Sequence, residues 1–201
     1  MNDLLADPLL SLLPERDWAE APRVTEVRAS PEECEKIAHG CVQRRIFREA
    51  EDDEVLVDEQ GQAIESGMLG IGKGKLVVES DLERLRLIMN LVPSNAVQQL
   101  ILGDIRTLPY IGQWSSMLLA QGDLLYWSSE DVQCCFYIFA LPRAWGRYTV
   151  LSRRAPGWVV GKPWQASIRL CLNVVPMGWL SAVGVIQYLH RRLALVSSKL
   201  P

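Results

Sequence analysis

The run Lys75-Leu-Val-Val-Glu-Ser-Asp-Leu-Glu-Arg-Leu-Arg-Leu-Ile-Met89 reads as strand, turn, strand. Aliphatic and β-branched residues flank a polar break at Glu79-Ser-Asp81. A period of two puts Arg84 and Arg86 on one face of the second strand and Leu85, Leu87 and Met89 on the other.

Upstream, Ser30-Pro31-Glu32-Glu33 supplies an N-cap, a proline at the first helical position and a capping-box glutamate. These open a helix expected to run through about Ala50. The stretch from Glu51 to Gly74 is acidic, then glycine-rich, and reads as loop with one short strand at Val55–Val57. Residues 1–30 carry Pro8, Pro14 and Pro22 without a sustained period. They read as an acidic, extended or loosely docked arm, leaving 31–201 as the folded unit. Downstream, a helix is expected from a cap near Ser94 to Gly103, and another around Gly112–Ala120. Val132–Leu141 is aromatic and β-branched enough for a buried strand, and Ile168–Val175 alternates as a second. Pro176-Met-Gly-Trp179 is a turn, and Leu180–Val196 has the length and apolar spacing of a helix. The pattern as a whole is α+β.

The composition, 201 residues with 49% hydrophobic and 22% charged, fits one globular domain or a large piece of a longer chain. It excludes disordered, collagenous and disulfide-scaffold classes. Five cysteines, two of them adjacent at Cys134-Cys135, form no even framework and suit a reducing compartment. No apolar run approaches the ~20 residues of a bilayer span, and Met1-Asn-Asp-Leu lacks the basic start of a secretory signal. The expectation is an intracellular protein, nuclear or cytoplasmic, that is neither secreted nor membrane-bound. The net charge of −3 hides an asymmetry: residues 1–80 hold 18 of the 24 acids and 9 of the 21 bases. The remainder is net basic and holds six of the seven tryptophans, so it is the part that could meet a polyanion, with solvated Lys/Arg as the plainer alternative.

Asp131 opens an otherwise apolar segment, Ser128-Ser-Glu-Asp-Val-Gln-Cys-Cys-Phe-Tyr-Ile-Phe-Ala-Leu-Pro142. A carboxylate entering a buried strand must be solvated, hydrogen-bonded or metal-bound, and a strand-start cap satisfies it as well as a metal does. In order along the chain stand Arg86-Leu-Ile-Met-Asn-Leu-Val-Pro-Ser-Asn95, Asp131-Val-Gln-Cys-Cys-Phe136-Tyr, and Val175-Pro-Met-Gly-Trp179 with Gln187 beyond it. This ordered set resembles the reverse transcriptase (RNA-directed DNA polymerase) family of retroelements: its fingers strand, its first palm motif and its Leu-Pro-x-Gly-Trp element. The similarity covers roughly residues 75–195.

The resemblance implies a right-hand polymerase made of fingers and the first part of the palm. It gives Arg86 to the incoming triphosphate, where a planar guanidinium fork suits phosphate oxygens. Lys73 or Lys75 stands near the family's second phosphate-binding cation. Asp131 matches the catalytic aspartate that binds Mg²⁺, a hard cation held by oxygen ligands. Phe136 matches the aromatic residue beneath the deoxyribose, Gly178 the glycine that lets backbone approach the base pair, Trp179 the brace of that turn, and Gln187 the glutamine that faces the palm. The partners so implied are a dNTP and an RNA or DNA template-primer; nothing in the sequence points to a protein partner. The sequence departs from the family at Cys134, where many members carry a second acid, at Met177, where retroviral enzymes have glutamine, and at Ser181-Ala-Val183 in place of a serine-proline pair.

The family completes its metal site with a paired-aspartate hairpin after the glutamine helix, and nothing after Gln187 is acidic. Asp52-Asp53 lies far upstream in an acidic loop. One carboxylate does not make a two-metal site, so the expectation is a polymerase fragment, truncated before that hairpin or decayed, that performs no nucleotidyl transfer as given. The competing expectation is a non-catalytic nucleic-acid-binding or interaction protein of retroelement origin. Other motifs are weaker. Cys34, His39 and Cys41 match no common zinc spacing and read as helix packing. His190-Arg191-Arg192 suits a helix C-terminus at least as well as a phosphate. Gly70-Ile-Gly-Lys-Gly-Lys75 lacks phosphate-loop spacing, and the two histidines are too far apart in sequence to suggest a hydrolase.

Overall fold

In the computed structural model, residues 2–197 are described except 19, 21, 78, 79, 111, 113, 114, 116 and 127–133, with backbone alone at 2, 4, 16, 75–77, 80–84 and 197. The chain is mixed α+β with antiparallel sheets. The Ser30 capping box forms as the sequence predicts: the Glu33 N–H donates to Ser30 Oγ (3.3 Å) and the Ser30 N–H to Glu33 Oε2 (3.0 Å), opening a helix over Pro31–Gln43. This helix, α2, follows a short α1 at Asn2–Ala6.

The expected continuation to Ala50 does not occur. The chain leaves the helix through Arg45 in the left-handed region (φ +58°) and enters strand β1 over Phe47–Ala50. Pairing decides this. β1 runs antiparallel to β5 (Ser167–Leu172), with Phe47 opposite Leu172 and Ala50 opposite Arg169. The short β4 (Ala155–Pro156) borders β5 on its other side. Phe47, Leu170 and Leu172 from this sheet are almost fully buried beside Trp145, Met68 and Met89.

The second sheet is a long hairpin, β2 (Gly67–Val77) with β3 (Ser80–Asn90). It is longer than the sequence predicts, because the glycine-rich tract read as loop is strand. Gly67 sits where a side chain would strike the Glu26 carbonyl, so an N-terminal strand-like segment can lie against the hairpin base. There the Arg28 N–H donates to Met68 O (2.8 Å) and the Ser66 N–H to Val150 O (2.7 Å), while the Leu151 N–H donates to Leu170 O (2.8 Å). The base of the hairpin is thereby tied to both the N-terminal segment and the three-stranded sheet. Along one face of β3, exposure falls from 62% at Leu85 to 1% at Met89, so the hairpin roots in the core and projects from it.

Three other expectations change. Residues 1–30 do not hang loose: Trp145 Nε1 donates to Leu5 O (2.9 Å), Tyr148 Oη to Pro8 O (3.0 Å), and Gln99 N to Ser11 O (2.7 Å). Buried indole and phenol donors need acceptors, and the arm supplies them. The helix expected from Ser94 to Gly103 is one turn, α3 (Val92–Asn95), after which the chain runs irregularly along α5 (Ala182–Arg192). Gly103 and Gly184 meet there backbone to backbone, and a Cβ on either would strike the other segment's carbonyl. The expected strand Val132–Leu141 is instead a helical turn, α4 (Cys135–Ile138), followed by a single bridge of Ala140 to Val174; residues 127–133 lie outside the described set. The expected helix at Gly112–Ala120 falls partly outside that set, and residues 117–120 are not helical. Among the described residues no helix is long and apolar enough to cross a membrane.

Candidate functional site

Strand β3 gathers the motifs. Arg86, exposed, lies opposite Ile71 in the hairpin register. One residue on, the Leu87 carbonyl accepts a hydrogen bond from Tyr137 Oη at 2.6 Å, fastening α4 to the strand. Burial pushes the Tyr137 phenol up to about 12, with the Arg86 charge pulling the other way, so the hydroxyl stays a donor at neutral pH. Phe136, next along α4, is half-buried against the main core. The turn into α4 passes through Cys134 in the left-handed region (φ +54°), with its side chain exposed.

Three residues after Arg86, the Met89 N–H donates to Met177 O (3.1 Å), which brings the Pro-Met-Gly-Trp turn onto the same strand. Gly178 adopts φ +117°, and a Cβ there would penetrate the Met89 carbonyl oxygen; both the conformation and the space demand glycine. Asn95 clamps the turn from α3: its Nδ2 donates to Gly178 O (2.9 Å) and its Oδ1 accepts from Leu180 N (3.0 Å). Trp179 is buried, donates from Nε1 to Gln98 Oε1 (2.8 Å), and tilts against Trp145 with ring centroids 5.0 Å apart. It braces the turn as part of the core rather than as an exposed surface.

Gln187, on α5, is half-buried and donates to Thr107 Oγ1 at 3.2 Å. Its amide is engaged by the 105–107 segment and is not free in solvent. Nearby, Arg191 pairs with Asp104 at 3.1 Å. Asp131 and the side chain of Lys75 lie outside the described residues, although the Lys75 backbone belongs to β2. Described residues thus join Arg86, Phe136, Gly178 and Trp179 through one strand, while Gln187 is reached through α5. Sequence reasoning gave no role to Tyr137 or Asn95, which make the joints. Both were in view, adjacent to Phe136 and at the end of the Arg86 motif, but only tertiary pairing marks them.

No group of three or more Cys, His, Asp or Glu able to hold a metal occurs among the described residues. Cys34 is buried, and burial pushes the Cys41 thiol up to about 11; His39 meets Gln43 Nε2 at 3.1 Å and leans on Trp158. That trio is helix packing. In the sequence no Asp or Glu follows Asp131. A two-ion Mg²⁺ site needs several hard carboxylate ligands, and the described residues bring no such group together; Glu130 and Asp131 lie outside them. No protein-family model matches this chain, and no curated protein matches it either.

Proposed function

We propose that this chain is the fingers and first palm portion of a reverse-transcriptase-like polymerase of retroelement type, and that on its own it binds template-primer and nucleotide without extending the primer. The observation that supports this reading is the assembly on β3. Arg86 stands one residue from the strand's joint with the Phe136–Tyr137 turn and three from its joint with the Gly178–Trp179 turn. A guanidinium, a half-buried phenylalanine and an exposed glycine turn on adjoining elements are the groups that would meet, respectively, a triphosphate, a sugar and a base pair. The family roles of Asp131, Lys75 and Gln187 belong to the same proposal. The paired-aspartate motif that completes the family's two-metal site does not follow Gln187 in this sequence, which supports binding without primer extension.

Fluorescence anisotropy of a labelled RNA–DNA template-primer, titrated at several salt concentrations, tests the proposal. Binding with a steep inverse salt dependence and no dNTP incorporation with Mg²⁺ or Mn²⁺ is expected. Incorporation by this chain alone overturns the non-catalytic part. Absence of binding at low salt overturns the nucleic-acid part.

A further inference from the structure

The hairpin face opposite Arg86 is built differently. Gly70 and Gly72 of β2 stand opposite Leu87 and Leu85 of β3, so the leucines face bare backbone. A Cβ at Gly70 would lie 2.9 Å from Leu85 Cδ1, which means the Leu85 side chain already occupies the space a β2 side chain would take. Beside these leucines a groove of about 420 Å³ lies between the hairpin and α2, lined by Ile37, Met68, Leu85 and Leu87. Its rim carries Arg28, Lys36 and Glu33.

The charges on that rim are unequal. Glu33 is engaged: its Oε2 accepts both the Ser30 N–H (3.0 Å) and the Ser30 hydroxyl (2.8 Å) as part of the α2 cap, and those bonds, helped by the Lys36 charge, hold its carboxyl below the usual range. Arg28 and Lys36 are exposed and take part in no ion pair among the described residues. An apolar floor beneath Arg28 and Lys36, with Glu33 tied into the α2 cap, favours an apolar body with one negative end. The volume falls in the range of small-molecule sites rather than of extended protein interfaces. We propose that this groove binds a small amphipathic anion, an alkyl or aryl body bearing one carboxylate or sulfonate, independently of the Arg86 face.

Two naphthalene dyes test it: anilinonaphthalene sulfonate, which is anionic, and N-phenyl-1-naphthylamine, its uncharged counterpart. Wild-type protein should enhance the fluorescence of both saturably. The double variant Arg28→Glu/Lys36→Glu should bind the sulfonate about tenfold more weakly and the neutral dye within about twofold, as expected for loss of charge pairing alone. Gly70→Leu, filling the groove, should lose both dyes; should it fail to fold by circular dichroism, Leu85→Asp at the open end replaces it. Arg192→Glu, a distant exposed cation, should change neither. The proposal is overturned if wild type shows no saturable enhancement, if the double variant keeps its sulfonate affinity, if Arg192→Glu weakens it equally, or if a folded groove variant binds both dyes normally.

Discussion

Replacing Gly178 by alanine should be strongly destabilising. The alanine would have to hold φ near +117°, a region L-residues enter at roughly 1–3 kcal/mol. Its Cβ would also lie inside the Met89 carbonyl, which is backbone and cannot swing aside. The turn must therefore shift, breaking the bond from Met89 N to Met177 O and straining both Asn95 bonds to Gly178 O and Leu180 N. At about 1 kcal/mol for each hydrogen bond, the total comes to about 4–6 kcal/mol, a large part of the 5–15 kcal/mol that holds a typical domain. Urea unfolding followed by tryptophan emission reports on this region, because Trp179 and Trp145 are in ring contact. With a slope near 2 kcal/mol/M, the midpoint should fall by about 2–3 M. Asn95→Ala should cost about 2 kcal/mol, and the double variant should cost less than the sum because both act on the same bonds. A Gly178→Ala protein within 1 kcal/mol of wild type, or strict additivity with Asn95→Ala, would refute the clamped-turn reasoning, taking 1 kcal/mol as the size of a single hydrogen bond.

Other outcomes follow from buried polar groups. Tyr137 and Tyr148 are each pushed up to about 12 by burial from an ordinary value near 10. Their contribution is fully present below pH 10 and lost as the pH rises toward 12, so alkaline unfolding should begin above pH 10, and Tyr137→Phe should blunt it while costing about 1 kcal/mol at neutral pH. Glu54 takes a two-pronged bond from Arg48 (2.6 and 2.7 Å); burial works against its carboxylate, but the Arg48 bonds prevail and hold its pKa below the usual 4.5. Its stabilisation is present above pH 4.5 and lost as the pH falls through the lowered value. Glu54→Gln should cost about 2–4 kcal/mol at pH 7 and flatten the acid limb of a stability–pH curve. Among the thiols, exposed Cys134 should react first with a disulfide reagent under native conditions, whereas Cys171, buried and pushed up to about 12, should react only on unfolding. Mass spectrometry of partially modified protein would identify the order.

Where local chemistry dictates structure, the sequence was legible. Ser30 to Glu33 closes a capping box through side chains three residues apart, and the Pro176–Trp179 turn and helix α5 follow from a proline, a glycine and an apolar period. Strand β1 was not legible: Phe-Arg-Glu-Ala carries no strand signature and is extended only because β5 pairs with it. Over residues 67–74 glycine, which usually marks a loop, stands in a strand and makes room for Glu26 on one side and Leu85 on the other. The opposite error came at Cys135–Ile138, where aromatic and β-branched composition argued for strand and the chain makes a helical turn. The docking of residues 5–8 rests on indole and phenol donors about 140 positions away, which no local pattern reveals. Of the candidate site, the motif residues could be named from sequence, but the joints made by Tyr137 and Asn95 depend on the third dimension.

The central claim is that Arg86, the Phe136 turn and the Gly178 turn share one nucleotide-binding surface. Photolabelling with an azido-substituted purine deoxynucleoside triphosphate, followed by peptide mapping, addresses it directly. Labelling confined to peptides containing Arg86, Phe136 or Gly178, competed by unmodified dNTP and reduced by Arg86→Ala, is the predicted result. Labelling confined to other peptides, or none that dNTP can displace, would contradict it.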